Sequence, residues 1–342
     1  MDAVLLISGA AGFIGSQMVR TALAQGYRVV GLDKLTYAGS VANVDGLPAD
    51  RFRLVVGDIA DLELVRGMLA EVQPASVLNL AAETHVDRSI AGPDAFVETN
   101  VVGTLHLLRA SLDYYRTLTG DRRSRFRYVQ MSTDEVYGSL GEAGRFSEDS
   151  SYAPRSPYAS SKAGGDHLVA AWVHTYGLPA VVTHCSNNYG PRQHPEKLIP
   201  HMITRALAGL PLPVYGTGEN VRDWIHVEDH CDGVLAAMRQ GTVGGHYCFG
   251  GGNEWRNIDL VHRLCDALDV LKPRADRHSY RRQIAFVDDR PGHDFRYSID
   301  FSRATRELGF APKVDFADGL AATVRWYLDN GGEGRKAAEE SR

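Results

Sequence analysis

Tyr158 and Lys162 stand four residues apart, a spacing that puts both side chains on one face of a helix. A tyrosine hydroxyl beside an ammonium group is a candidate general base, because the nearby positive charge stabilises the phenolate. An ordinary tyrosine titrates near 10, so bringing it to about 7 requires about 4 kcal/mol in favour of the phenolate. The chain has 15 tyrosines, and chance supplies such a pair in roughly one chain in four of this composition, so position has to add weight. Upstream lies Thr133-Asp134-Glu135-Val136-Tyr137-Gly138, with two adjacent carboxylates and no basic residue next to them in sequence. Like charges repel, which makes the pair a poor structural choice but suits a reaction that uses one acid and one base together.

A second constellation opens the chain. Gly9-Ala10-Ala11-Gly12-Phe13-Ile14-Gly15 directly follows an apolar run and starts a helical pattern. Glycines there permit a tight turn and close backbone approach, and the helix N-terminus offers free N–H groups to a pyrophosphate. Asp33 closes the next apolar run, where a carboxylate accepts hydrogen bonds from the adenosine ribose hydroxyls. The same charge repels a 2′-phosphate, so NAD is expected rather than NADP.

The elements that must position these groups are short β-branched runs with helical segments between them. The runs are Val4-Leu5-Leu6-Ile7, Val29 to Leu32, Leu54-Val55-Val56, Val77 to Leu80, Tyr128 to Met131 and Val181-Val182-Thr183. This alternation predicts an α/β fold, a doubly wound parallel sheet of the Rossmann kind. Such sheets bind ligands at the carboxyl ends of their strands, and Asp33, Asp58, Thr84, Ser132 and Asn187 each follow a run closely. After about residue 186 the pattern loosens into Pro- and Gly-rich elements. The expected division is therefore a dinucleotide-binding domain over 1–185, with roughly 223–245 returning to it, and a smaller C-terminal substrate domain over 186–342.

Bulk properties exclude other classes. A net charge of −5 and a pI near 6.2 give no basic face for nucleic acid. No run approaches the roughly 18 apolar residues of a membrane helix, and the N-terminus lacks a signal-peptide pattern. Cys185, Cys231, Cys248 and Cys265 are scattered without a Cys-x-x-Cys pair, so no metal site is expected and reduced thiols in a cytoplasmic protein are. The Arg-rich stretch from Asp121 to Arg127 reads as a solvated loop, and the polar end from Gly331 to Arg342 as frayed.

The Gly-x-x-Gly-x-x-Gly spacing resembles the extended short-chain dehydrogenase/reductases. Over nearly its whole length the chain resembles the dTDP-glucose 4,6-dehydratase family. The stretches that match in order are Asp33 to Gly39, Ala81 to Ser89, Thr133 to Gly138, Tyr158 to Lys162, Ser186 to Pro191, Pro195 to Pro200, Val221 to Trp224 and Asp289 to Asp294. The resemblance implies that Lys34, Thr36, Asp58, Ile59, Ala81, Ala82, Thr99, Ser132 and Asn188 line the NAD groove together with the glycine turn, Tyr158 and Lys162. It implies that Thr84, Thr133 and Asn187 touch the sugar or its phosphates. Lys197, Leu198, Pro213, Tyr215, Arg222, Asn257, Arg290 and His293 would form the nucleotide end.

The implied reaction is an internal hydride transfer in a nucleotide-activated glucose, a step in deoxysugar biosynthesis. Tyr158 takes the C4 hydroxyl proton, Glu135 removes the C5 proton, Asp134 protonates the leaving C6 hydroxyl, and the C4 hydride is returned at C6 through NAD. The alternatives are a dehydratase acting on a UDP-sugar, a nucleotide-sugar 4-epimerase, which needs no acid/base pair at C5 and C6, and a non-catalytic NAD-binding scaffold. A homodimer is implied by pairing of the long helix that carries Tyr158. Arg192 and His194 depart from the aromatics usual in the family, Phe295 replaces a common arginine, and the C-terminal tail lacks the usual aromatic extension.

Overall fold

In the computed structural model, which describes residues 3–289 and 292–330, the apolar runs form strands and the segments between them mostly helices. In chain order the strands are β1 (Val4–Ser8), β2 (Arg28–Asp33), β3 (Phe52–Val56), β4 (Ser76–Asn79), β5 (Arg127–Thr133) and β6 (Ala180–Cys185). They continue with β7 (Asn187–Tyr189), β8 (Leu212–Tyr215), β9 (Val221–His226), β10 (His246–Phe249), β11 (Glu254–Arg256) and β12 (Ile284–Val287). Seven of them make one all-parallel sheet in the order β3-β2-β1-β4-β5-β6-β10.

β1 shows why this sheet sits at the centre. Leu5 and Ile7 pack with Met18, Val19, Val234 and Phe249 on one face, while Leu6 packs with Val65, Leu69, Leu107 and Leu108 on the other. Side chains alternate across a strand, so a continuous apolar run is stable only when helices cover both faces. Helices Phe13–Ala24 and Val227–Gln240 pack together on the first face, and Leu62–Val72 and Thr104–Thr117 on the second.

The smaller layer has a three-stranded sheet, β11-β9-β7, and a parallel pair, β8 and β12. Helices Leu198–Leu207, Asn257–Leu271 and Phe316–Asp329 bury a third core there that includes Ile203, Trp224, Leu264 and Val324.

Two details differ from the sequence expectation. The return to the large sheet runs past 245, because β10 pairs with β6 and closes that edge, while β9 belongs to the small sheet. The stretch from Asp121 to Arg127 is solvated as expected over 121–125 but is not a loop: Gly120–Arg125 is a short helix, and Arg127 begins β5. Phe126 between them is fully buried, Arg122 donates to the Tyr114 hydroxyl at 2.9 Å, and Arg123 lies 4.3 Å over the Tyr115 ring. The arginine side chains cover aromatic surface, which the run of charges in the sequence conceals. Among the described residues no helix is long and apolar enough to cross a membrane.

Candidate active site

The carboxyl ends of β1, β2, β4, β5 and β6 open on one cleft, and its first cavity has a volume of about 320 Å³. The glycine turn forms its floor. Gly9 has φ +69°, and a Cβ there would lie 2.8 Å from the Ala81 nitrogen. A Cβ on Gly15 would fall 1.8 Å from the Gly9 carbonyl oxygen, so the helix can start this close to the strand only without side chains. Gly12 caps that helix without any side-chain hydrogen bond, which leaves its first N–H groups facing the cleft. Asp33 is fixed at the end of β2 by the amides of Ala11 and Leu35, both donating at 2.8 Å. Two of its roughly four lone-pair sites are thereby used and the rest are available to a ligand. Lys34 and Asp58 form an ion pair at 2.5 Å across the same rim.

Phe13, Ile14, Thr36, Ile59, Ala81, Ala82, Thr99, Ser132 and Asn188 also line this cavity. Thr99 lies on a π-helical turn, Glu98–Gly103, whose Asn100 exchanges hydrogen bonds with the Glu83 backbone and donates to Ser161 Oγ. Such a turn, uncommon and often found at functional sites, locks the loop after β4 to the helix carrying Tyr158.

That helix, Pro157–Tyr176, starts where Ser156 Oγ accepts from the Ala159 amide and Pro157 takes the first helical position. It delivers Tyr158 and Lys162 to the cavity wall, 7% and 4% exposed. The Lys162 ammonium donates to the Met131 carbonyl at 2.7 Å. Burial lowers its pKa, opposed by the charge of Asp166. Thr133 ends β5, and its hydroxyl accepts from the Glu135 amide at 3.3 Å, starting the turn Asp134–Tyr137.

The two carboxylates are not equivalent. Asp134 is 2% exposed, and its pKa is pushed well up by burial, then by the charges of Glu135 and Asp223. Burial thus favours the protonated form of Asp134, the form a general acid requires. Glu135 is only partly buried and borders both this cavity and the next. The Tyr158 hydroxyl is itself pushed well up by burial, then by Glu135 and Cys185, while the Thr133 hydroxyl pulls it down.

Beyond Glu135 the cleft widens into a second cavity of about 1230 Å³. Thr84, Asn187, Lys197 and Leu198 belong to both cavities, and Pro213, Tyr215, Arg222, Asn257 and His293 line only the second. Lys197 donates to the Thr84 carbonyl at 2.9 Å, which ties the small layer to the large sheet across the opening. Arg222 is 6% exposed, lies 4.3 Å over the Tyr297 ring and donates to the carbonyls of Val221, Asp294 and Phe295. Tyr215 meets His293 edge-on at 6.2 Å. The buried atoms Asp134 Oδ2, Asn187 Oδ1 and Asn257 Oδ1 have no hydrogen-bond partner among the described residues. Buried polar atoms are rarely left so, and three along one cleft suit a polar occupant. Arg290 lies outside the described residues, as does the segment from Gly331 to Arg342.

Of the departures, Arg192 adopts φ +71° with its guanidinium 5.6 Å from the Trp326 ring. His194 packs edge-on to Tyr37 at 5.5 Å, and burial lowers its pKa to about 4. Phe295 is largely exposed, and its amide donates to Ser139 Oγ. Sequence reasoning missed Cys185, Glu196 and Trp224 on the cleft wall. Cys185 ends β6 and was within reach of the same strand-end criterion that found Ser132; Glu196 and Trp224 carry no comparable signal.

A parallel sheet with an uncapped glycine turn at β1, a carboxylate ending β2 and a Tyr-x-x-x-Lys helix beside β5 defines an extended short-chain dehydrogenase/reductase. The sequence profile of the family described as GDP-mannose 4,6 dehydratase matches residues 6–323. The dTDP-glucose 4,6-dehydratase of Xanthomonas campestris pv. campestris is 54% identical over 96% of this chain and 94% of its own length. That of Escherichia coli K12 is 48% identical over 95% and 93%. The chain belongs to the dTDP-glucose 4,6-dehydratase family. The structure of a Streptomyces venezuelae dTDP-glucose 4,6-dehydratase with NAD and dTDP bound superposes with a TM-score of 0.88 at 46% identity, covering 96% of this chain and 98% of that one. A UDP-glucose 4-epimerase of Thermotoga maritima shares the fold with a TM-score of 0.84 at 27% identity, covering 96% and 99%.

Proposed function

We propose that this protein converts dTDP-glucose to dTDP-4-keto-6-deoxyglucose, with NAD as its resident cofactor. The observation that carries the reading is Asp134, a carboxyl buried beside a partly exposed Glu135 in the cleft that holds Tyr158 and Lys162, where burial pushes its pKa well up. The groove fits the dinucleotide: the uncapped helix at Gly12 suits its pyrophosphate and Asp33 its adenosine ribose. Bound NAD would accept the hydride from C4 and, once reduced, donate it to C6, and its positive ring would favour the Tyr158 phenolate.

The chain's own groups do the proton work. Tyr158 takes the C4 hydroxyl proton, with Lys162 holding positive charge behind it. The resulting ketone acidifies C5, and Glu135 removes that proton. Asp134 gives its proton to the C6 hydroxyl, which leaves as water, and after hydride reaches C6 the protonated Glu135 returns a proton to C5. Arg222, Lys197, Tyr215, Asn257 and His293 hold the nucleotide in the wider cavity, so residues 186–342 act chiefly on the nucleotide sugar and residues 1–185, with the returning segment, on NAD.

The test is incubation with dTDP-glucose, UDP-glucose and their galactose counterparts. Loss of one water from dTDP-glucose by mass spectrometry supports the reading. Loss from UDP-glucose instead moves the specificity, and an unchanged mass with a changed sugar makes the protein an epimerase. The buried Asp134 favours dehydration, because epimerisation at C4 requires no acid at C6. Four buried free cysteines support a reducing, cytoplasmic setting. The helix Pro157–Tyr176 is proposed to pair with its equivalent in a homodimer; a monomer by light scattering at working concentration overturns this.

A further inference from the structure

One turn beyond Lys162 on the same helix lies Asp166, which the reaction outlined above does not use. It is 1% exposed. Its Oδ2 accepts from Ser132 Oγ at 2.5 Å and from the Tyr152 hydroxyl at 3.1 Å. The Tyr152 oxygen is 2.8 Å from His184 Nε2, and that nitrogen lies 3.4 Å from Asp166. A hydroxyl has one proton, so the chain has one consistent direction: His184 Nε2–H donates to Tyr152, and Tyr152 and Ser132 both donate to the carboxylate. Ser132 is thus fixed with its proton turned away from the cleft and its lone pairs left as acceptors at the groove edge.

We propose that Asp166 is a positioning residue for the reaction, which offsets the charge of the buried Lys162 ammonium and orients Ser132 at the edge of the dinucleotide groove. The inference rests on the reading of Tyr158 and Lys162 as the base pair. Residues four apart on a helix are neighbours, so Asp166 stands one turn from Lys162, with both side chains buried. Among the described residues the ammonium donates one hydrogen bond, and it goes to a neutral carbonyl, Met131 O. A buried ammonium without a countercharge gives up its proton readily, and a neutral Lys162 could not favour the Tyr158 phenolate. Three segments converge on Asp166: Ser132 from β5, Tyr152 from the loop before the helix, and His184 from β6, with Tyr128, Tyr137 and His246 also within its electrostatic reach.

The experiment is an NMR titration of the ε-carbon of Lys162 in lysine-labelled enzyme, with kcat and KM measured alongside for wild type, Asp166→Asn and Asp166→Glu. In Asp166→Asn the Lys162 midpoint should move down by about one pH unit and kcat fall by about tenfold, with KM little changed. Asp166→Glu keeps the charge and should hold the midpoint near wild type and restore most of kcat. If Asp166→Asn does not fold, Asp166→Ser, smaller and equally neutral, takes its place. An unmoved Lys162 midpoint in the neutral variant, or Asp166→Glu behaving like it, overturns the proposal and leaves Asp166 a packing residue. The lysine titration needs no substrate, so it stands apart from whether dTDP-glucose is the sugar consumed.

Discussion

Thr133, Asp134, Tyr158 and Lys162 at the reaction end are each less than a tenth exposed, whereas at the nucleotide end Arg222 is equally buried but Tyr215 leaves 44% of its surface to solvent. The first group hangs from β5 and from a 20-residue helix packed on the main sheet. The second is gathered from β8, β9, the start of the helix at Asn257 and the segment before Arg296. The contrast follows from what each end must do. Proton transfer depends on pKa values set by burial and fixed neighbours, which only a rigid, dry frame provides. Holding a nucleotide tolerates a wider, wetter cavity, because its contacts act equally before and during the reaction.

The comparison breaks most visibly at Tyr158. Tyr158→Phe should lower kcat by roughly 10³-fold or more while dinucleotide remains bound, since only the base is lost. Near wild-type turnover in that variant would end the assignment. Glu135→Gln keeps size and hydrogen bonding but not basicity, and should lower kcat by roughly 10²-fold or more. Product formed by wild type in heavy water should carry solvent deuterium at C5, with the C6 hydrogen coming from C4 of the same molecule. A product without deuterium at C5 removes the case for Glu135.

Arg222→Ala should act on the other side of the contrast. Charge-assisted hydrogen bonds are worth about 1.5–3 kcal/mol, so KM should rise roughly 10- to 100-fold with a smaller change in kcat. A kcat collapse at constant KM would mean that Arg222 serves the reaction end. Tyr215→Ala should give the smallest effect, a rise in KM of a few-fold to about tenfold, because a half-exposed ring yields only part of a full stacking energy. Equal losses for Tyr215→Ala and Tyr158→Phe would erase the distinction between the two ends.

The same division decided what the sequence revealed. Asp134-Glu135 are adjacent, Tyr158 and Lys162 share one helix face, and Gly9 to Gly15 with Asp33 sit at consecutive strand ends, so local spacing carries their meaning. Asp166 did not stand out although it is one turn from Lys162, because its partners Ser132, Tyr152 and His184 come from three separate segments. The resemblance put Arg222 at the nucleotide end, but nothing in the sequence showed its grip on the carbonyls of Asp294 and Phe295, some seventy residues further along the chain. The helix at Gly120–Arg125 was missed because one buried aromatic, Phe126, outweighs a run of charges.

The pairing of β10 with β6 has a consequence for biosynthesis. Ala180 to Cys185 are buried along their whole length, and one edge of that strand is covered only by residues 246–249. A nascent chain that has emerged as far as residue 185 therefore presents a naked, apolar strand edge, the kind that pairs with other chains. Translation must deliver more than sixty further residues, including the helix Val227–Gln240 that roofs the same face, before the edge is sealed. During those seconds a polysome making this protein carries sticky intermediates in close array, and a truncation after Cys185 makes that transient hazard permanent.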